Sequence, residues 1–237
     1  MANLVLAFAE LLAGAVILDA AIKGDSIANV IRGTATQNPI GGSTAGGGGS
    51  SSSSSSSSAT GYTNPVPGAT TGRIDQGVDY TMGGSGFLAP GRSQILISDQ
   101  SNTGWAGGGY IAGKLLDGPL AGRVWYAAEG ISPTVVKGAV VNAGDRIGVA
   151  VHNPYNTIVG NIEAGWADPS SPGQPLAQSL AGYAGDQSQQ ALTAGYSFSK
   201  FVQALGGVAG TFEGAGAHLA NSIRSAFQTG HPTGVPY

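Results

Sequence analysis

A low-complexity segment divides this sequence and limits which parts of it can fold into a packed domain. Residues 34–71 are rich in glycine and serine, with Gly46 to Gly49 followed by an unbroken serine run, Ser50 to Ser58. Such residues cannot bury enough apolar surface to offset the entropy that is lost on ordering. We therefore predict a flexible linker between a helical segment at residues 1–33 and a globular part that begins near Gly72.

The N-terminal segment, residues 1–33, is predicted to be an apolar helical anchor. Residues 4–22 would form a helix of about 29 Å at ~1.5 Å per residue, roughly the thickness of a bilayer core. Glu10 and Asp19 lie on opposite faces of this helix, and each would cost about 2.5 to 3.5 kcal/mol at mid-bilayer. The alternatives are a buried helix in an oligomeric assembly, a membrane span and the wall of a particle channel. Because the segment lacks a basic start, we expect no cleavable signal peptide.

Charge and cysteine content exclude several classes of function. The net charge is -3, and the ten basic residues are scattered singly. A nucleic-acid partner is therefore not expected. With no cysteine in the chain, disulfides, thiolate zinc sites and cysteine nucleophiles are excluded.

Residues 72–169 are predicted to form a mainly β domain with many turns. Short β-prone runs are separated there by Gly, Pro, Asn and Asp. They are Gly77–Tyr80, Gln94–Ser98, Gly109–Leu115, Val124–Ala128, Arg146–Val151 and Val159–Trp166.

Residues 170–237 are predicted to form a helical C-terminal appendage with a disordered tail. Apolar residues between Ala191 and Leu205 recur at three-four spacing, with Asp186 as the N-cap, Gln189 at the capping-box position and a stop at Gly206-Gly207. We expect this helix to pack on the β domain. A second amphipathic stretch is weakened by glycines; its apolar stripe is Val208, Phe212, Leu219, Ile223 and Phe227.

Three blocks of the β domain resemble the lysostaphin-type zinc peptidases. GRIDQGVDYT, from Gly72, stands where that family has H-x-G-x-D; GFLAPGRSQIL, from Gly86, matches a turn into a strand; and VWYAAEGISPTVVKGAVVNAGDRIG, from Val124, matches a Tyr-Ala-His strand followed by a Gly-Asp turn. The resemblance implies a lysostaphin-type β-barrel or sandwich and an activity against peptidoglycan cross-bridges.

The sequence departs from this family at its zinc ligands. Asp79 matches the family aspartate, but Asp75 occupies the first histidine position and Ala128 a further one. The terminal strand, residues 161–166, replaces an H-x-H element. The three histidines of this chain are His152, His218 and His231, and we expect them to be surface residues.

What remains at these positions is a set of carboxylates. Asp75, Asp79 and Glu163 are candidate metal ligands, and Glu129 joins them as a candidate catalytic residue. Such a set does not favour zinc and suits a harder divalent cation such as Ca²⁺ or Mg²⁺. Two of these acids could instead perform acid/base catalysis on a glycosidic bond. The remaining alternative is that they are turn formers and solvated strand ends.

Aromatic residues of the β domain are candidates for substrate binding, because exposed rings stack on sugars or peptide side chains. The candidates are Tyr80, Trp105, Trp125, Tyr126 and Trp166. Strand alternation predicts that Trp125 and Tyr126 point to opposite faces, so that at least one of them faces the cleft or solvent.

Together these features predict a peptidoglycan-directed protein whose degenerate endopeptidase domain does not cleave. An apolar anchor and a tether resemble virion-associated tail proteins of phages that infect Gram-positive bacteria, so we expect a virion, extracellular or cell-envelope location. The alternatives are an active, divergent peptidoglycan hydrolase and a structural assembly or membrane-inserting protein.

Overall fold

The computed structural model describes residues 61–70, 72–101, 104–105, 108–152 and 161–229, apart from the side chains of Ala215 and Thr229. The anchor predicted at 1–33, most of the linker predicted at 34–71 and the tail after residue 229 lie outside these ranges. Among the described residues, no helix is both long and apolar enough to span a membrane.

Twelve strands and two α-helices form in the described part of the chain. The strands are β1 (Gly72–Ile74), β2 (Val78–Thr81), β3 (Gly86–Leu88), β4 (Ser93–Asp99), β5 (Gly109–Leu115), β6 (Val124–Glu129), β7 (Ile131–Pro133), β8 (Val140–Val141), β9 (Arg146–Ala150), β10 (Asn161–Asp168), β11 (Ser171–Pro175) and β12 (Thr211–Phe212). The helices are α1 (Gln189–Ala204) and α2 (Ala220–Thr229), and single 3₁₀ turns cover Leu176–Ser179 and Gly214–His218.

The strands form two sheets, and the mainly β class is confirmed. The larger sheet has the order β12-β1-β2-β10-β6-β5-β4-β8, with β11 paired to β10 beside this path. The smaller sheet has the order β3-β9-β7. In the described ranges neither sheet closes on itself, so the structure does not contain the barrel that was one form of the predicted fold.

All six predicted strands correspond to strands of the structure, although five of them differ by one or two residues at one or both ends. Gly109–Leu115 matches β5 at both ends. Residues 159 and 160, the predicted start of β10, lie outside the described ranges. The strands that the sequence missed are short, such as Ser171–Pro175, because a few residues rich in Gly, Pro and Ser carry no readable alternation.

One face of the larger sheet carries the main hydrophobic core. Val78, Trp125 and Trp166 alternate onto this face and are nearly fully buried. Tyr62 and Val66 also belong to this core, with 4% and 1% of their surface exposed. The packed domain therefore extends into residues 34–71, which the sequence assigned to the linker.

Helix α1 packs on β10, as predicted, with the Phe198 ring edge-on to Trp166 at 5.1 Å. Its N-cap is Ser188, whose side chain accepts a hydrogen bond from the Ala191 amide. The predicted cap, Asp186, is wrong; its carboxylate accepts a hydrogen bond from Tyr183 instead. The helix ends before Gly206, which has a φ of 79°.

Helix α2 is shorter than its predicted apolar stripe. Val208 and Phe212 lie outside it, and Phe212 belongs to strand β12, which pairs in parallel with β1. Glycines between Phe212 and Leu219 support only a 3₁₀ turn, consistent with the low helix propensity of glycine.

Candidate functional site

The second face of the larger sheet brings polar residues from three neighbouring strands into one row, which continues to an alanine on a fourth strand. Arg73 on β1 pairs with Asp79 on β2, Asp79 with Glu163 on β10, and Glu163 with Ala128 on β6. Directly paired residues project to the same face of a sheet. The row is therefore set by strand register, and it lies opposite the main core.

Asp75 joins this row from the turn between β1 and β2. Its Oδ1 accepts a hydrogen bond from the Gly77 amide at 3.1 Å, which fixes the side chain over the turn. One carboxylate oxygen from each of Asp75, Asp79 and Glu163 lies within 4.8 Å of the others. The three candidate metal ligands thus converge into a single cluster, called the acidic cluster below.

Arg73 is the cation that faces the acidic cluster. Its Nε donates to Asp79 Oδ2 at 2.8 Å, and its Nη2 contacts Asp79 Oδ2 and also Asp75 Oδ2, the latter at 3.2 Å. The two aspartates are almost fully buried, whereas the arginine side chain is 48% exposed. One guanidinium therefore links two of the three acids from the solvent side.

Glu163 is held from the opposite side by Tyr126, whose hydroxyl donates to Glu163 Oε1. Two glycines provide the space for this contact. A Cβ at Gly165 would lie 2.8 Å from the Tyr126 ring, and one at Gly77 would lie 2.6 Å from the Tyr126 hydroxyl. Side chains at either position would displace Tyr126, so these glycines belong to the architecture of the site.

Burial raises the pKa of all three clustered acids, and repulsion from neighbouring acids of the cluster adds to this at Asp75 and Glu163. Burial is the main cause at Asp75, where the nearby Asp79 adds to it and the pKa rises to about 8. Burial also raises the pKa of Asp79, although the Arg73 guanidinium opposes this. Burial, followed by the charges of Asp75 and Asp79, raises the pKa of Glu163 well above its usual range. The cluster therefore favours holding protons.

Glu129, the fourth acid named from the sequence, ends β6 in a strained backbone conformation. Its φ is 70°, the only positive value at a non-glycine residue in the described part of the chain. Burial, with a contribution from Asp79, raises the pKa of Glu129 to about 7. Strained residues with shifted pKa values concentrate at functional sites.

Most of the candidate substrate-binding aromatics are core residues. Tyr80, Trp125, Tyr126 and Trp166 are each at most 2% exposed. The prediction that these rings offer stacking surfaces is wrong, because the sheet faces that carry them are both covered. Tyr126 does lie on the site face, the face of the larger sheet that carries the acidic cluster, but it acts there as the hydrogen-bond donor to Glu163.

Trp105 differs from the other four, because it is half-buried. Its ring stacks on Tyr110 at 5.6 Å and lies 5.5 Å from Tyr126. It also borders a cleft of about 260 Å³ next to the acidic cluster. The cleft is lined by Gln76, Gly104, Trp105, Gly173, Pro175 and Gln178.

His152 and His218 are exposed, as predicted, and neither belongs to the acidic cluster. His231 lies outside the described residues.

The donor set does not fit the zinc site that the sequence resemblance implies. The acidic cluster contains three carboxylates and no histidine, whereas catalytic zinc usually takes imidazole ligands. In addition, the Arg73 guanidinium already lies against two of the three acids. Oxygen ligands are those of a harder divalent cation, but such an ion would compete with Arg73 for Asp75 and Asp79.

Sequence reasoning gave no role to Arg73, Gln76 or Gln178, which the structure places at the site. A hairpin register could have found Arg73, since a three-residue turn at Asp75 to Gly77 sets it opposite Asp79. Nothing local could have found the contact between Gln76 and Gln178, because 102 residues separate them.

No family model and no curated protein sequence matches this chain. Among solved structures, it is similar to lysostaphin in solution, with 21% identity over 45% of this chain and 47% of that chain, at a TM-score of 0.38. Lysostaphin from Staphylococcus simulans gives 17% identity over 47% and 49%, at a TM-score of 0.37. A zinc-containing peptidase from Vibrio cholerae gives 15% identity over 44% and 33%, at a TM-score of 0.31. The chain spans about half the length of these two lysostaphin chains.

Proposed function

We propose that the folded domain binds bacterial cell-wall peptidoglycan and does not cleave it. The observation that carries this proposal is the Arg73 guanidinium, which lies against Asp75 and Asp79 where the sequence resemblance implies a catalytic metal. A fixed internal cation neutralises part of the acidic cluster and supplies no activated water. The wall ligand itself is proposed from the three sequence blocks that resemble lysostaphin-type peptidases.

The acidic cluster and the cleft beside it would form the binding surface. Asp75 belongs to the cluster, and its chain neighbour Gln76 lines the cleft. A ligand that lies along this face would meet the exposed Arg73 guanidinium over the buried acids first and the amide groups of the cleft next. Polar side chains of this kind orient peptides and sugars by hydrogen bonding.

Co-sedimentation of the full chain with purified, insoluble peptidoglycan tests this binding. We expect the protein in the pellet, and Asp75→Asn to weaken sedimentation. Asp117→Asn is the matched control, because Asp117 is an exposed residue. It follows the C-terminal end of β5, away from the acidic cluster. A wild-type chain that stays in the supernatant would contradict the proposal, and so would equal effects of the two substitutions.

Zymography against the same wall material tests whether the domain cleaves. No clearing is expected without added metal or with Ca²⁺, Mg²⁺ or Zn²⁺, while lysostaphin run beside it serves as the positive control. Clearing under any of these conditions would refute the non-catalytic part of the proposal and leave the binding part intact.

Glu129 is the reason to retain a second candidate function, that of a divergent peptidoglycan hydrolase. A half-buried carboxyl with a pKa of about 7 and a strained backbone is suited to general acid/base catalysis. If zymography shows clearing, Glu129→Gln should abolish it, because the amide cannot exchange a proton. Glu213→Gln, at an exposed position, should leave the clearing unchanged.

We further propose that residues 1–33 anchor the domain to a particle or membrane and that the linker lets it search the nearby wall. A tether raises the effective concentration of the attached domain near its anchor. Flotation with liposomes tests the membrane form of this idea, by comparing the full chain with a variant that lacks residues 1–33. Equal flotation of the two proteins would exclude membrane anchoring by this segment.

A further inference from the structure

The cleft of about 260 Å³ beside the acidic cluster has a lining with a specific chemical character. Its lining residues carry no formal charge, and they combine an indole ring and a proline with two glutamine amides. The cleft is smaller than the roughly 300 to 1,000 Å³ pockets that hold drug-sized ligands. It is therefore suited to one small, uncharged unit of a larger ligand.

Gln76 is held in one orientation at the wall of this cleft. The residue is only 7% exposed, and its Oε1 accepts a hydrogen bond from Gln178 Nε2 at 2.9 Å. Because Oε1 of Gln76 faces Gln178, the Nε2 donor lies at the other end of the Gln76 amide. Among the described residues that donor has no hydrogen-bond partner, so a nearly buried amide group is left to donate to a ligand oxygen.

Gln178 supplies the complementary group. Its Nε2 is engaged by Gln76, whereas its Oε1 accepts no hydrogen bond from any residue that the structure describes. The cleft thus presents one fixed donor and one acceptor, which together match the C=O and N–H of a secondary amide.

Apolar surfaces complete the cleft. Trp105 is supported from behind by Tyr110 and Tyr126, with ring centroids 5.6 and 5.5 Å away. Pro175 contributes a second apolar wall. A supported aromatic ring offers a face to the C–H groups of a sugar.

From this combination we propose that the cleft is a subsite for an N-acetylated amino sugar, with the acetamido group between Gln76 and Gln178 and the sugar ring against Trp105. The proposal rests on the wall-binding function proposed above and extends it from the wall in general to its glycan strands. It assigns Gln76, Gln178 and Trp105 as specificity-determining residues.

The test uses the full chain and two neutral probes that differ in the acetamido group, a β-1,4-linked N-acetylglucosamine tetramer and the matching glucose tetramer. Binding is followed by tryptophan fluorescence, since Trp125 and Trp166 are buried and Trp105 is the half-buried indole. We expect the N-acetylated tetramer to bind at least about tenfold more tightly, as the loss of two hydrogen bonds implies. Equal binding of the two tetramers would overturn the proposal.

Variants locate the binding site. Gln178→Ala should weaken binding of the N-acetylated tetramer about tenfold, and its exposed position makes loss of folding unexpected. Gln174→Ala is the matched control, because Gln174 is an exposed residue of β11 that does not line the cleft. Trp105→Ala should remove both the binding and the fluorescence response. Unchanged affinity in Gln178→Ala would overturn the proposal.

The outcomes separate this inference from the proposed function. A chain that sediments with peptidoglycan but ignores the N-acetylated tetramer refutes the glycan subsite alone. The same conclusion follows if a glycine pentapeptide changes the Trp105 fluorescence and the N-acetylated tetramer does not. A chain that fails to sediment with the wall refutes the proposed function itself.

Discussion

The two faces of strand β10 carry side chains of opposite chemistry, although they alternate along the same eight residues. Ile162, Ala164 and Trp166 point into the main core, where Trp166 packs against Phe198 of helix α1. Glu163 and Gly165 point to the other face, where Glu163 meets Asp75 and Asp79, and Gly165 makes room for Tyr126. One face supplies folding free energy, and the other holds groups whose charged forms oppose folding.

The acidic cluster is therefore supported by the core rather than by its own contacts. Burial of apolar surface stabilises the sheet at roughly 25 cal/mol per Å². Buried acids with raised pKa values subtract stability once they ionise.

Trp166→Ala should destabilise the main hydrophobic core. The substitution removes a large, 2% exposed side chain and leaves a cavity, so we expect a loss of about 4 kcal/mol in the free energy of unfolding. Urea denaturation followed by circular dichroism measures it. Glu163→Gln, one pleat position away on the other face, is the paired control and should not destabilise at neutral pH. A Trp166→Ala cost below that of Glu163→Gln would contradict the assignment of the two faces.

The stability of the folded chain should fall with rising pH. Burial raises the pKa of Asp75 to about 8 and that of Glu129 to about 7. Each acid binds its proton more tightly in the folded protein than in the unfolded chain. The contribution of these acids to the free energy of unfolding is therefore fully present below about pH 4, the pKa of the acids in the unfolded chain. It is lost as the pH rises through the pKa values of the folded protein. We expect a decrease of at least about 3 kcal/mol between about pH 5 and pH 8.

Urea titrations at several pH values test this dependence. Asp75→Asn should reduce the slope of the profile, because one of the titrating groups is gone while Glu129 remains. Trp166→Ala should keep the slope of the parent while lowering the whole curve, since it changes only the other face. A parent protein that gains stability from pH 5 to pH 8 would show that the cluster is not held in its protonated form.

Arg73→Met should remove the cation of the site face. Asp75 and Asp79 then lack their guanidinium partner, and we expect a loss of about 2 kcal/mol at pH 8, between the values for exposed and buried ion pairs. The cost should shrink at pH 5, where the acids take up protons. Millimolar Ca²⁺ should raise the melting temperature of this variant more than that of the parent, because the ion can replace the guanidinium.

Arg92→Met is the matched control for this substitution. Arg92 pairs with Asp117 at 3.3 Å, but both side chains are more than half exposed, so its loss should cost less than about 1 kcal/mol. Equal costs for the two variants would show that the Arg73 contacts are ordinary surface ion pairs. A Ca²⁺ response equal to that of the parent would show that Arg73 does not occupy a cation position.

Glu129→Gly should relieve the strained end of β6. A non-glycine residue at φ 70° carries a backbone cost of about 1 kcal/mol that glycine lacks. We expect a gain of about this size in the free energy of unfolding, measured by urea denaturation at pH 5. Glu129→Gln keeps the strain and removes only the acid, so the difference between the two variants isolates the backbone term. No difference would mean that the conformation is not strained.

Much of the fold followed from local patterns in the sequence. The β5 strand was predicted at both ends, and helix α1 was predicted from its three-four spacing. The convergence of Asp75, Asp79 and Glu163 was anticipated only through the resemblance of GRIDQGVDY and neighbouring blocks to a known family. Short strands such as Thr211–Phe212 were missed, because two residues cannot show a period.

Local sequence patterns were sufficient to predict the longer strands and helix α1, because alternation and three-four spacing are properties of neighbouring residues. Tertiary structure decided which groups share a site. Strand register opposed Arg73 to Asp79, and packing brought Gln178 to Gln76 across 102 residues. It also buried four of the five candidate aromatics, since both faces of the sheet are covered. Such contacts depend on the arrangement of distant segments, which no local pattern of side chains encodes.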